Sequence, residues 1–333
     1  MRRFATALLL ALSTAALPMP AQAAPSDDLR AVIDAHWAWW LKENPVSASS
    51  LGVHEYDDQL GDISLAGQDR SASEAQKLLD RLNAIPDAGL SDAERANKGV
   101  LARLLSDQIE GNRYGQRMML FTTYESPHQS FAGLGDYVPL FNARDYRSYL
   151  ARLAKFPSLN EQVLSVTKQA IAKGYVQPCN AMGGFETTID GAVSGAPEET
   201  RFYEPFKRAR PNDVSEADWT AMKAEAVHLI RDVITPGYHQ FSAFYVKDYK
   251  PKCAARVGAS FLPNGKDYYA FRARAHTTTS LTPEQIHEIG LQEVSRILKR
   301  MDEVAHAAAM PTAPASSPSC AATRNITPAR PKR

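Results

Sequence analysis

TPEQIHEIGLQEVSRILKRM, residues 282–301, decides the fold class. Thr282 stands where an N-cap hydroxyl accepts a free amide, Pro283 suits the first helical position, and Gln285 completes a capping box. Ile286, Ile289, Leu291, Val294, Ile297, Leu298 and Met301 then trace one apolar helix face down to about Ala309. Working outward, the same periodicity predicts helices over 215–244, 159–173, 144–155, 91–111, 71–85 and 26–43. Ser26 is the candidate cap of the first, Ser91 and Glu94 form a capping box for another, and Pro236 with Gly237 marks a kink or break in 215–244. Pro45 ends the first helix, and PVSASSLGVHEYDDQL after it reads as irregular. Residues 112–144 read as loop with short helices, 176–212 as an extended loop that could act as a lid or binding segment, and 268–275 as one short strand. The chain is therefore expected to be all-α, predominantly helical, with long irregular loops.

Of the 333 residues, 44% are hydrophobic and 23% charged, with 38 basic against 37 acidic side chains, which is the composition of a globular protein with a sizeable core. The basic excess sits at the two ends, leaving a body near −5 between residues 24 and 310. Such a body has no basic field for a nucleic-acid backbone, so no nucleic-acid partner is expected.

Arg2 and Arg3 precede an apolar run from Phe4 to about Leu17, and Ala21-Gln22-Ala23 supplies the small residues of a signal-peptidase site. Residues 1–23 are thus expected to be a signal peptide cleaved near Ala23, placing the protein in the periplasm or outside the cell. The run is shorter than the roughly 20 residues a bilayer requires, and no later segment is apolar enough to span one. Export into an oxidising compartment makes Cys179 and Cys253 candidates for a disulfide, the alternative being two buried thiols. Cys320 lies in a polar tail.

Several catalytic motifs can be tested by spacing. A zincin needs His-Glu-x-x-His, so that two imidazoles share one helix face beside a general base. His287-Glu288 has Leu291 in the second histidine position, and His54-Glu55 has Asp58. Gly191-Ala192-Val193-Ser194-Gly195 misses the spacing of a nucleophile elbow. The acidic run Glu55, Asp57, Asp58 and Asp62 lacks a calcium-loop pattern and reads as a solvated surface turn. No metal ligands and no catalytic residues are assigned. His276, Thr277 and Thr278, which precede the last helix, and His287 on it, are candidate substrate contacts, because an imidazole and hydroxyls near a helix amino terminus suit anions.

The run PNGKDYYAFRARAHTTTSLTPEQIHEIGLQEVSRI (263–297), together with PVSASSLG (45–52), DYRSYLARLAKFP (145–157) and the TPGYHQF and YKPKC segments, resembles the bacterial family called domain of unknown function 885. That resemblance implies an exported helical protein similar to gluzincin-type zinc metallopeptidases, with a peptide-like substrate. It covers only the amino-terminal half of the family's fold. The family's zinc motif belongs to the second half, so no cofactor is expected in this chain and zinc only in a full-length relative. The implied division is 1–23 signal peptide, 24–310 helical domain, and 311–333 a disordered tail whose composition a shifted reading frame would explain. On this reading the chain is catalytically inactive. A self-sufficient periplasmic peptide-binding or interaction module is the alternative.

Overall fold

The computed structural model describes residues 24–122 and 126–307. The expected signal peptide over 1–23, the expected tail over 311–333 and Cys320 lie outside the described residues. Fourteen α-helices run through the described residues, joined by short 3-10 turns and irregular segments: α1 Pro25–Glu43, α2 Pro45–Ser50, α3 Leu65–Asn83, α4 Asp92–Asn112, α5 Pro127–Ala132, α6 Leu134–Tyr137, α7 Ala143–Ala154, α8 Phe156–Lys173, α9 Phe185–Asp190, α10 Glu204–Lys207, α11 Glu216–Leu229, α12 Thr235–Phe244, α13 Gly265–Thr277 and α14 Pro283–Ala307. No strand forms among them.

Two cores divide these helices. Leu29 and Val32 of α1 pack with Leu78 and Leu82 of α3 and Leu101 and Leu105 of α4. The larger core gathers apolar side chains from α5 through α12, including Tyr146, Tyr149, Leu153, Phe156, Trp219, Ile230, Tyr238 and Phe241. Met118, Val166, Ala170 and Tyr175 form a small third cluster.

Local chemistry sets the helix ends much as the sequence indicates. The Ser91–Glu94 capping box opens α4, Ser215 caps α11, and Thr282 and Gln285 exchange bonds of 3.2 and 2.9 Å at the start of α14. At α1 the cap is Ala24 rather than Ser26, because Pro25 takes the first helical position and fixes the start one residue earlier. Helix α3 begins at Leu65, six residues before the expected start, where Ser64 accepts the amide of Gly67.

Four expectations are corrected. The segment 268–275 is helical, within α13, since its Phe271 packs inward while Tyr114 stacks on it. PVSASS forms α2, and His54–Tyr56 a 3-10 turn. The run 215–244 does not break at Pro236; a wide π turn over Ile230–Ile234 precedes α12 and absorbs the amide proline lacks. Gly237 serves packing there, since a Cβ would stand 2.5 Å from the Phe156 ring. The segment 176–212 is not a free loop, because Met182, Phe185, Ile189, Val193, Phe202 and Phe206 are all buried in the main core.

Irregular backbone can be buried only if its carbonyls find donors. Buried tyrosines supply several: Tyr146 donates to Pro205 O at 3.0 Å, Tyr149 to Phe202 O at 2.9 Å, and Tyr245 to Met182 O at 3.2 Å. Burial pushes the Tyr245 hydroxyl up to about 12, so these groups remain donors throughout the physiological range. The structure also joins Cys179 to Cys253, 74 positions apart, beside backbone bonds from Ala254 N to Gln177 O and from Cys179 N to Ala254 O. Closing a loop of that length stabilises a fold by about 4 kcal/mol in the chain-entropy account.

The residues after α2 are held by one buried cation. Arg152 of α7, 1% exposed, donates to the carbonyls of Gln59, Pro45 and Tyr56 at 2.9, 2.9 and 3.1 Å and to Ser49 Oγ at 2.7 Å. Ser49 in turn reaches the buried Asp57 carboxylate at 2.5 Å. The acidic run is therefore not a solvated turn at Asp57. Replacing Arg152 with alanine removes the donor that three carbonyls and Ser49 Oγ share, and with it the positive charge that faces the buried Asp57. The expected loss is about 3–5 kcal/mol, read as a lower urea midpoint with an unchanged slope.

Candidate functional site

The two larger cores meet along residues 115–122, and a trough follows that seam. Gly115 makes the close approach possible, since any Cβ there would strike the Tyr175 ring. Three adjoining cavities of about 760, 510 and 610 Å³ make up the trough. The first, between α1–α2 and α3–α4, has Trp39, Trp40, Glu43, Gln68 and Gln108 on its walls. It shares Val46, Gly61, Ile63, Leu120 and Ser130 with the middle one. The middle and third share Met119 and Thr122, and the third is closed by Val176, Pro178, Ala254, Phe261 and Leu262. Met119, Leu120 and Thr122 thus lie along a continuous apolar floor whose rim carries scattered polar groups. That surface suits an extended chain with apolar side chains and hydrogen-bonding backbone.

Helix α5 walls the middle cavity with Pro127, Ser130 and Phe131, and it is anchored from behind by His128. His128 is buried, with ring nitrogens 2.8 Å from Ser126 Oγ and 2.9 Å from Thr188 Oγ1, and its carbonyl accepts from Tyr238 at 2.6 Å. Burial lowers its pKa to about 4.

His276, Thr277, Thr278 and His287 line none of these three cavities. His276 and Thr277 end α13, where Arg272 donates to His276 Nε2 and Thr277 Oγ1 donates to Ala273 O at 2.8 Å. Thr278 caps that helix in the left-handed region, φ 58°. The threonine hydroxyls thereby shape the turn that aims α14. Helix α14 buries no residue, and Ile289, Leu291, Val294, Ile297, Leu298, Met301 and Val304 are all exposed. His287 stands at the amino-terminal end of that apolar stripe, one and two turns before Leu291 and Val294.

Sequence reading overlooked the trough. Its floor comes from 112–144, where no helical period exists to mark a face; the cue present was the consecutive apolar run Met118 to Phe121. Local spacing also rejects His54 and Asp57 as metal ligands and offers no cue to Asp145, yet the ligand atoms of these three lie within 4.8 Å of one another and form the one candidate metal cluster among the described residues.

The all-α fold is shared with a solved structure. The crystal structure of a protein classed as a lipoprotein from Colwellia psychrerythraea superposes with a TM-score of 0.76 at 16% identity, covering 86% of this chain and 52% of that one. The chain spans about half the length of that relative. A family model described as bacterial protein of unknown function, DUF885, matches residues 45–325, and the chain belongs to that family. The match begins after α1 and runs past residue 310. No curated protein matches the chain.

The state of His128 gives the trough wall a pH dependence. An unfolded imidazole titrates near 6.5 and the folded one near 4, so the unfolded chain binds the extra proton between those values. Stability is fully present above pH 6.5 and falls by at most about 3 kcal/mol as pH drops to 4. Urea midpoints across that window should decline in the native protein and flatten in His128→Gln.

Proposed function

We propose that the chain is an exported, peptide-binding half of a metallopeptidase-like fold and does not hydrolyse its ligand by itself. The observation that carries this reading is the continuous trough, with an apolar floor for side chains and a polar rim for backbone. Its partition into three joined cavities of about 760, 510 and 610 Å³ matches consecutive residues of an extended peptide better than one compact small molecule. The bare stripe of α14 supports the other part of the proposal: a helix with no buried residue awaits a covering layer, and the longer Colwellia relative has chain to spare for one. The occupant is the carboxy-terminal half of such a fold, bringing its own apolar helix face. The metallopeptidase-like character rests on the resemblance of the 263–297 run. The lack of hydrolysis rests on the sequence, where both His-Glu pairs lack the second histidine. Export is supported by the disulfide, which persists in oxidising compartments, and by the amino-terminal signal pattern. No helix among the described residues is long and apolar enough to cross a membrane.

The second reading, a self-sufficient periplasmic module, is favoured by the two closed cores and the disulfide that spans 74 positions. Thermal unfolding separates the two. A cooperative transition without dye binding supports the module, whereas strong binding of an apolar dye by the folded chain supports an uncovered α14.

Trp39 and Trp40 line the first cavity and report on occupancy. Titration with an extended apolar hexapeptide should change tryptophan fluorescence saturably. Ser130→Trp, at the junction of the first two cavities, should weaken binding at least about tenfold while leaving the melting temperature within a few degrees. Incubation of the same peptide with added zinc should yield no cleavage; chelator-sensitive turnover would overturn the proposal.

A further inference from the structure

We propose that His54, Asp57 and Asp145 form a binding site for a late first-row divalent cation, separate from the trough. His54 and Asp57 come from the turn after α2, and Asp145 from the first turn of α7, so two distant stretches of sequence supply the donors. Each offers one donor atom, and the three lie within 4.8 Å of one another. His54 Nδ1 stands 2.7 Å from Asp57 Oδ2 at hydrogen-bond distance, so a tetrahedral ion, whose ligand atoms at 2.0–2.2 Å lie about 3.3–3.6 Å apart, parts them by less than about 1 Å.

Asp145 gives the second, independent observation. It is 4% exposed, its Oδ2 accepts the Phe141 amide at 2.9 Å, and its Oδ1 is buried without a hydrogen-bond partner among the described residues. A buried carboxylate oxygen without a donor is destabilising, because nothing replaces the water it has lost. A cation at the cluster supplies the missing positive charge and needs no hydrogen atom.

The donor set selects the ion. One imidazole with two carboxylates suits zinc or cobalt, whereas calcium, magnesium and manganese favour oxygen alone. His54 coordinates as a neutral ring with its proton on Nε2, and the two carboxylates balance a 2+ charge. The His54 side chain is 42% exposed, leaving solvent to complete the shell. Two guanidinium groups bear on the site. Arg152 reaches Asp57 only through Ser49, and both bonds remain when Asp57 Oδ2 turns to a metal. Arg144 donates to His54 O at 2.6 Å with the same Nη2 3.9 Å from Asp57 Oδ2; its side chain is 61% exposed, so it is free to swing toward solvent when an ion takes that oxygen. A bound ion ties the post-α2 turn to the start of α7 beside Arg152.

The test uses the tag-free mature chain dialysed against chelator. Titration with cobalt(II), followed by its visible spectrum, and with zinc(II), followed by calorimetry, should give one saturable site per chain. Affinity should fall at least about tenfold in both His54→Ala and Asp145→Asn. Zinc should raise the melting temperature of the native chain and leave that of His54→Ala unchanged. Asp145→Asn keeps an acceptor for the Phe141 amide; should it fail to fold, the exposed position of His54 lets the alanine variant decide alone. No stoichiometric binding by the folded native chain, or binding unaltered in the variants that fold, overturns the site. Either result leaves the peptide titration of the trough untouched.

Discussion

A buried carbonyl needs a donor, and much of this protein is organised around meeting that requirement where no helix ladder can. The segment 176–212 contributes six large apolar side chains to the main core, which draws its irregular backbone inward as well. Tyrosine hydroxyls on α7 and on the turn after α12 meet its carbonyls. One turn along α7 from Tyr149, Arg152 does the same for the stretch after α2, using a fork of donors that a lysine could not reproduce. Helix α7 therefore holds two irregular segments at once.

The trough is a consequence of that arrangement. Two cores with separate apolar interiors leave a seam where neither fills the space, and the 115–122 strip crosses it with apolar side chains but without a helix to close it. The likeness to a relative of nearly double length at 16% identity concerns the fold alone, and at that level the conserved quantity is the packing of helices. Membership of the DUF885 family agrees with that, since the matched residues run from α2 through α14.

The helices were largely legible in the sequence because each long one carries a local signal. Ser91 with Glu94, Ser215, and Thr282 with Gln285 announce their helix starts within three residues, and the apolar spacing behind them identifies a face. What was illegible depends on partners far away in sequence. The glycines and prolines of 176–212 look like those of a mobile loop, and only the tyrosines 53 to 63 positions distant turn that segment into core. Asp57 looks like one member of a solvated acidic run until Ser49 and Arg152 fold onto it. Burial alone would raise its pKa, yet bonds from Ser49 and His54 and the charges of His54 and Arg152 bring it below the ordinary value. The HTTT run was legible as chemistry but ambiguous as purpose, since hydroxyls that could greet a ligand serve equally to shape a turn.

The disulfide stands beside the third cavity rather than deep in either core. Pro178, next to Cys179, and Ala254, next to Cys253, are both lining residues of that cavity, and they pair as an isolated bridge. The covalent link therefore fixes the width of the trough at its far end. Without that covalent link the same end is held by hydrogen bonds and packing alone: two between the paired backbones, and those of Gln177 to the Tyr249 hydroxyl and the Phe121 carbonyl. The redox state of one cysteine pair therefore sets how firmly the far wall of the groove is held.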